Sequence, residues 1–201
     1  MGTKTLSQPR RIGVFGGTFD PIHNTHLDMA RAAMDSAHLD AVLFVLSARP
    51  PHKQDDTVAS PGQRLRMIEA ALEGESDFEA CDIELHREGP SYMCETLRDL
   101  EKQYSGADLF LIVGLDCLLD LPNWKRPEDI LERARLLVAP REGDGRTVPA
   151  SLEGKYDFMP FEESDVSSTD IRGRVSREES IDALVPAGVA RLIRAQGFYD
   201  A

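Results

Sequence analysis

Arg11-Ile12-Gly13-Val14-Phe15-Gly16-Gly17-Thr18-Phe19-Asp20-Pro21-Ile22-His23-Asn24-Thr25-His26 is the stretch on which the reading of the fold turns. Its first seven residues form a short apolar run ended by glycines. Beyond it, Leu27, Ala30, Met34 and Ala37 recur at helical spacing as far as about His38. This reads as strand, loop, helix. In an open parallel sheet, ligands gather at that end of a strand, because helix N-termini and free backbone N–H groups converge there. His23 and His26, three apart, can face one phosphate from a single helical turn. As a pair alone they equally suit a helix cap or a metal. Gly13, Gly16 and Gly17 do not fit the G-x-G-x-x-G spacing of a dinucleotide fingerprint, which disfavours a nicotinamide-dependent oxidoreductase.

The alternation continues outward. Ala41 to Ala48 predicts a second strand, followed by a Pro-rich loop and a helix from Pro61 to Leu72, with Pro61 suited to the first turn. Phe78 to Leu85 predicts a third strand and Ser91 to Tyr104 a helix with Leu97 and Leu100 on one face. Leu109 to Gly114 has the continuous apolar character of a strand buried on both faces. A short helix from Pro127 to Ala134 then leads into a strand from Arg135 to Ala139. The period implies an α/β fold, a Rossmann-like doubly wound parallel sheet with flanking helices. Arg141 to Asp165 is acidic and rich in Gly and Pro, and reads as a mobile connection with one strand candidate, Asp157 to Phe161. A small helical portion closes the chain over about 167–201. Ser167-Ser168-Thr169 caps its first helix, and Pro186 to Gln196, closed by Gly197, forms its last. Residues 1–10 read as a flexible tail and 11–201 as a single domain.

The composition narrows the function. With 201 residues, 41% of them apolar, the chain can bury a full core. A net charge of −12 repels polyanions and argues against a nucleic-acid partner, although a small phosphorylated ligand needs only a few local cations. No apolar run approaches the roughly 18 to 20 residues of a membrane span. Leu6 is the only large apolar residue near the start besides Met1, too little for a secretory signal, so the cytoplasm is the expected location. Cys81, Cys94 and Cys117 form no C-x-x-C pair and read as reduced, buried fillers.

The Gly16 to His26 string resembles the G-G-T/S-F-D-P-x-H-x-G-H signature of nucleotidyltransferases that adenylate mononucleotides, above all the nicotinate mononucleotide adenylyltransferases. The likeness runs on through Pro50-Pro-His-Lys53, Arg64-x-x-Met67, Pro90-Ser-Tyr-x-x-x-Thr-Leu97, Gly114-Leu-Asp116, Leu121 and Trp124. It ends with Ser167-Ser-Thr-x-Ile-Arg172 and Val185-Pro to Phe198-Tyr199. Thr25 departs from the glycine of H-x-G-H, where the family's adenine lies against backbone, and Met93 departs from the usual Thr after Ser-Tyr.

The resemblance implies transfer of AMP from ATP to nicotinate mononucleotide, with release of pyrophosphate and magnesium delivered with ATP. It implies His23, His26, Lys53 and Arg172 as catalytic residues, with no dedicated metal site on the protein. ATP would meet Gly16, Gly17, Thr18, Phe19, Asp116, Ser168, Thr169 and Arg172. The mononucleotide would meet His52, Lys53, Ser91, Tyr92, the Met93 main chain, Trp124 and Lys125. On residue type alone, Trp124 serves a core as well as a nicotinate ring, Arg172 could be an exposed neighbour of a cap, and Asp116 a solvated loop residue. Asp20 is expected to fix its own loop rather than touch phosphate, since a carboxylate beside phosphates is repelled. The alternatives are an adenylyltransferase for nicotinamide mononucleotide or phosphopantetheine, and a non-catalytic nucleotide-binding regulator. The oligomeric state is left open by the sequence.

Overall fold

The computed structural model describes residues 10–50, 58–141, 145–162 and 164–200. Six parallel strands form one sheet: β1 (Arg11–Gly17), β2 (Ala41–Leu46), β3 (Phe78–Cys81), β4 (Asp108–Gly114), β5 (Ala134–Ala139) and β6 (Tyr156–Phe158). Their order is β3-β2-β1-β4-β5-β6, so the chain winds one way from β1 to β3 and the other way from β4 to β6. The direction reverses between β1 and β4, which are paired directly, with Val14 opposite Leu111. A crevice therefore opens at the carboxyl ends of these two strands.

Strand alternation makes two cores. Ile12, Val14, Leu43, Val45, Leu111 and Val138 point to the face covered by α3 (Met93–Gln103), α4 (Leu115–Asp120) and α5 (Pro127–Arg133). Phe15, Phe44, Ile112 and Leu137 point to the other, under α1 (Asn24–Ala37), α2 (Pro61–Ala71), α6 (Ser168–Ser176) and α7 (Ala187–Gln196). Both faces being covered explains why β2 and β4 read as unbroken apolar runs.

The structure departs from the expected elements in four places. β3 ends at Cys81 rather than Leu85, because the chain turns at Asp82, whose carbonyl accepts from the Leu85 N–H at 2.8 Å. The third helix starts at Met93, leaving Ser91 and Tyr92 in the preceding loop. β4 runs straight into α4 and a 3-10 turn, Leu121–Asn123, where the sequence reading has no helix. Six residues are too few for a periodic pattern to show. The segment after β5 is more than a connection: a 3-10 turn at Ala150–Leu152 precedes β6, which pairs with β5, and Leu152 and Met159 are buried. Of the three cysteines expected to be buried fillers, only Cys94 is buried; Cys81 is half-buried and Cys117 is exposed on α4.

Candidate active site

At the end of β1, Phe19 takes a left-handed backbone conformation, φ 49°. This turns its ring back into the core, edge-on to Phe15 and tilted against Phe44. A Cβ on Gly17 would lie 2.7 Å from that ring, and one on Gly16 would lie 2.5 Å from the Met93 methyl group. In this structure the two glycines make room for the chain's own Met93 and Phe19 side chains. Phe19 is 2% exposed, so its backbone is what it can offer ATP.

His23 is the N-cap of α1, and His26 stands one turn on. Their rings stack with centroids 3.7 Å apart. His26 Nδ1 accepts the His23 backbone N–H at 3.2 Å, so in the neutral ring the proton sits on Nε2, where it can be donated. The His26 ring is braced edge-on by Phe19, 5.1 Å away. Burial pushes the His23 imidazole down to a pKa of about 4, and its Nδ1 has no hydrogen-bond partner among the described residues.

Two buried ties hold this loop. The Asp20 carboxylate accepts from the backbone N–H groups of Val58 (2.8 Å) and Ala59 (3.2 Å) and from the Tyr199 hydroxyl (2.7 Å). Asp20 therefore fixes its loop, as its residue type predicts, but against other segments of the chain. Arg64, 1% exposed, donates to the carbonyls of Thr18 (2.7 Å), Ser47 (2.8 Å), Ala48 (3.2 Å) and Ala59 (3.2 Å). Sequence reasoning assigns neither Arg64 nor Tyr199 a role. The signal for Arg64 was present: with Met67, Ile68 and Ala71 it occupies the buried stripe of α2.

The last motif folds onto the first. Ser167 caps α6 by accepting from the Asp170 N–H at 3.1 Å. Ser168 donates its hydroxyl to the Pro21 carbonyl at 2.9 Å, and Arg172 Nη1 donates to the Asp20 carbonyl at 2.7 Å. Arg172 Nη2 reaches Thr169 Oγ1 at 3.3 Å. Arg172 is thus anchored to the histidine loop rather than left at the surface beside a cap. Hydroxyls, a guanidinium and the N-terminus of a helix thus pack on the loop that leads to the two imidazoles, a constellation suited to phosphate.

A second group lies beyond Met93. Ser91 is tied to the loop after β2, its N–H donating to the Arg49 carbonyl (2.9 Å) and its Oγ accepting the Arg49 N–H (3.1 Å). Trp124 is half-buried at the edge of the core under α3 to α5, and its indole N–H donates to Asp120 at 3.1 Å. Lys125 lies over the Tyr92 ring, 3.9 Å from its centroid, and pairs with Glu95 at 2.9 Å. That hydrogen bond, with Arg87 and Arg126 nearby, holds the Glu95 carboxyl below its ordinary range. Glu95 thus balances the Lys125 charge in this arrangement.

Asp116 lies in the first turn of α4, just past the end of β4, and its carboxylate is held by Arg141 (2.8 Å) and Arg146. The hydrogen bond from Arg146 is the first cause of its lowered pKa. Both arginines come from the segment after β5, which the sequence reading treats as an acidic connection. His52 and Lys53 lie outside the described residues. Among the described residues, no three His, Cys, Asp or Glu side chains form a cluster able to hold a metal ion, and no helix is long and apolar enough to cross a membrane.

This switch-point crevice, with a histidine loop and a cationic helix N-terminus, is that of a nucleotidyltransferase, and residues 14–174 match the family described as cytidylyltransferase-like. A Gloeobacter violaceus protein named as a probable nicotinate-nucleotide adenylyltransferase is 40% identical over 198 residues, covering 94% of this chain and 96% of its own. A Bacillus pumilus protein of the same name is 38% identical over 191 residues, covering 95% and 99%. Among solved structures, the Plasmodium falciparum nicotinic acid mononucleotide adenylyltransferase complexed with NaAD shares the fold with a TM-score of 0.75 at 17% identity, over 94% of this chain and 97% of that one. The chain belongs to the cytidylyltransferase-like family and, within it, to the nicotinate-nucleotide adenylyltransferases.

Proposed function

We propose that the chain joins the AMP of ATP to nicotinate mononucleotide, giving nicotinate adenine dinucleotide and pyrophosphate, a step of NAD biosynthesis. The observation that carries this reading is the docking of α6 on the histidine loop, with Ser168 on the Pro21 carbonyl and Arg172 on the Asp20 carbonyl. An oxygen of the mononucleotide phosphate attacks the α-phosphorus of ATP. A new P–O bond forms there as the bond from the α-phosphorus to the bridging oxygen breaks, and the electron pair leaves with pyrophosphate. The nucleophile is already ionised at neutral pH, so no general base is needed. The protein's task is to align two polyanions and to stabilise charge on the α-phosphate and the leaving group.

In this reading His26 donates Nε2–H to a phosphate oxygen, while His23, kept neutral by burial, supports it from the stacked position. The backbone N–H groups of Ser168 and Thr169 and the Arg172 guanidinium receive the β- and γ-phosphates, and Lys53 completes the cationic side. Thr25, half-buried in the first turn of α1, sets how the adenine lies. Trp124 stacks on the nicotinate ring, with Tyr92 and the Met93 main chain beside it. An ATP-using transferase of this kind works with a divalent metal, and magnesium is the one proposed. Asp20 and Asp116 have their carboxylates engaged by protein donors, which fits an ion carried on the ATP phosphates rather than in a protein cage. When bound, it neutralises charge on those oxygens. An odd number of widely spaced cysteines with no C-x-x-C pair suits a reducing compartment, and the cytoplasm is the proposed one.

Pyrophosphate release by the purified chain, with ATP and magnesium and with nicotinate mononucleotide, nicotinamide mononucleotide or phosphopantetheine as separate acceptors, tests the reading. Release with the nicotinate form alone is expected. Equal release with the amide would remove the acid preference. Release with none would favour a nucleotide-binding protein without catalysis.

A further inference from the structure

We propose that Tyr199 is a positioning residue of the transfer reaction, holding through its hydrogen bond to Asp20 the loop that presents His23 and His26 and seats Arg172. The inference rests on the AMP-transfer reading given above.

Asp20 is the point where four distant segments meet. Its own loop leads in three residues to His23. The segment before α2 donates to its carboxylate from Val58 and Ala59. α6 reaches its carbonyl through Arg172. The segment after α7 brings Tyr199, whose hydroxyl donates to Oδ1 at 2.7 Å from 179 residues away in sequence. Of these donors to the carboxylate, Tyr199 is the only side-chain hydroxyl, so it can be removed without disturbing a backbone.

The chain goes out of its way to place this phenol. Gly197 closes α7 in the left-handed region, φ 62°, and Tyr199 itself is left-handed, φ 67°. That conformation is unfavourable for a bulky residue, and such outliers persist where the surroundings over-determine them. Phe19, immediately before Asp20, is left-handed as well, so Asp20 is gripped by an unusual backbone on both sides of its hydrogen bond. Tyr199 is 9% exposed. Burial, reinforced by the bond to Asp20, raises the phenol's pKa, so it stays a proton donor at any working pH. Neither Tyr199 nor Asp20 needs to touch substrate in this arrangement. Their effect reaches the phosphates through the placement of the stacked imidazoles and of Arg172.

The test is Tyr199→Phe, which keeps the ring and deletes the hydroxyl, together with Asp20→Asn and the double variant, followed by pyrophosphate release and by the ring-proton resonances of the histidines. For Tyr199→Phe, kcat is expected to fall about tenfold, the loss of one hydrogen bond to a charged acceptor, with KM for both substrates within about twofold. The His23 and His26 resonances, shifted by their mutual stacking, are expected to move while those of His38 and His86 stay. The double variant should lose no more than the worse single variant, because both changes break the same contact. A kcat for Tyr199→Phe within about twofold of the parent, or losses that multiply in the double variant, would overturn the inference. If the parent chain transfers AMP to no acceptor, the functional reading falls by itself. The resonances then decide the positioning: unmoved His23 and His26 signals would sink it, and displaced ones uphold it.

Discussion

The two halves of the crevice are built differently. The half under α1 and α6 is held by buried groups acting on backbone: Arg64 on four carbonyls, the Asp20 carboxylate on two N–H groups and a phenol, Arg172 and Ser168 on carbonyls of the histidine loop. The half around Tyr92 and Trp124 has backbone ties at Ser91 but is otherwise held largely by side chains on side chains near the surface, with Glu95 shared among Lys125, Arg126 and Arg87. Buried bonds to backbone fix geometry because breaking them strands polar groups away from water. Exposed ion pairs exchange partners at little cost. In the proposed reaction the rigid half handles the phosphates, where charge develops in the transition state. The adaptable half handles the base of the mononucleotide, which does not change during the reaction.

If that contrast is right, the largest effect on stability belongs to Arg64. Arg64→Met keeps much of the side-chain volume but leaves the carbonyls of Thr18, Ser47, Ala48 and Ala59 without their donor, and a loss of about 3 kcal/mol or more is expected in urea unfolding. A loss below about 1 kcal/mol would mean that water replaces the guanidinium and that this half is not rigid as described. His26→Ala is next. It removes a preorganised donor to the transition state, so kcat for pyrophosphate release should fall about 10² to 10³-fold with ATP affinity changed only severalfold. An unchanged kcat would take His26 out of the chemistry.

The same contrast explains what the sequence discloses. The strand pattern and the Gly16 to His26 string place the crevice, because apolar runs of strand length and a glycine-ended turn are local signals. The approach of Arg172 to the Asp20 carbonyl is set by a crossing of 152 residues, which no local pattern encodes. The same holds for Tyr199 and Asp20. Arg64 stands between these cases, since its place on the buried stripe of α2 is legible but its four acceptors are not. The surroundings of Asp116 and Lys125 are illegible for a different reason: whether a charge is available depends on its neighbours, and Arg141, Arg146 and Glu95 are contributed by other elements.

Acid should also find the rigid half first. His23 has its folded pKa lowered from 6.5 to about 4 by burial, so the unfolded chain takes up the proton before the folded one does. Its contribution is fully present above pH 6.5 and is lost as the pH falls toward about 4, a difference of about 3 kcal/mol over that window. Urea unfolding of the parent and of His23→Gln across the same range isolates it, since the carboxylates titrate in both. The difference between the two curves should narrow as the pH falls. A constant difference would show that His23 is protonated in the folded chain and that water reaches the stacked pair.

The smallest effects are expected in the adaptable half, and they separate its two candidates. Trp124→Ala removes the stacking surface proposed for the nicotinate ring, so KM for the mononucleotide should rise about tenfold with kcat and the KM for ATP little changed. Lys125→Met removes a charge that Glu95 already balances, and the KM should change less than about threefold. The ratio of nicotinate to nicotinamide mononucleotide used by Lys125→Met is the sharper reading. Near-parental selectivity means the acid group is recognised by the main chain at the start of α3, where Tyr92 occupies the N-cap position and makes no side-chain cap. A collapse of selectivity would mean that Lys125 leaves Glu95 for the substrate, and that the surface ion pairs of this half are rearranged by the ligand they receive.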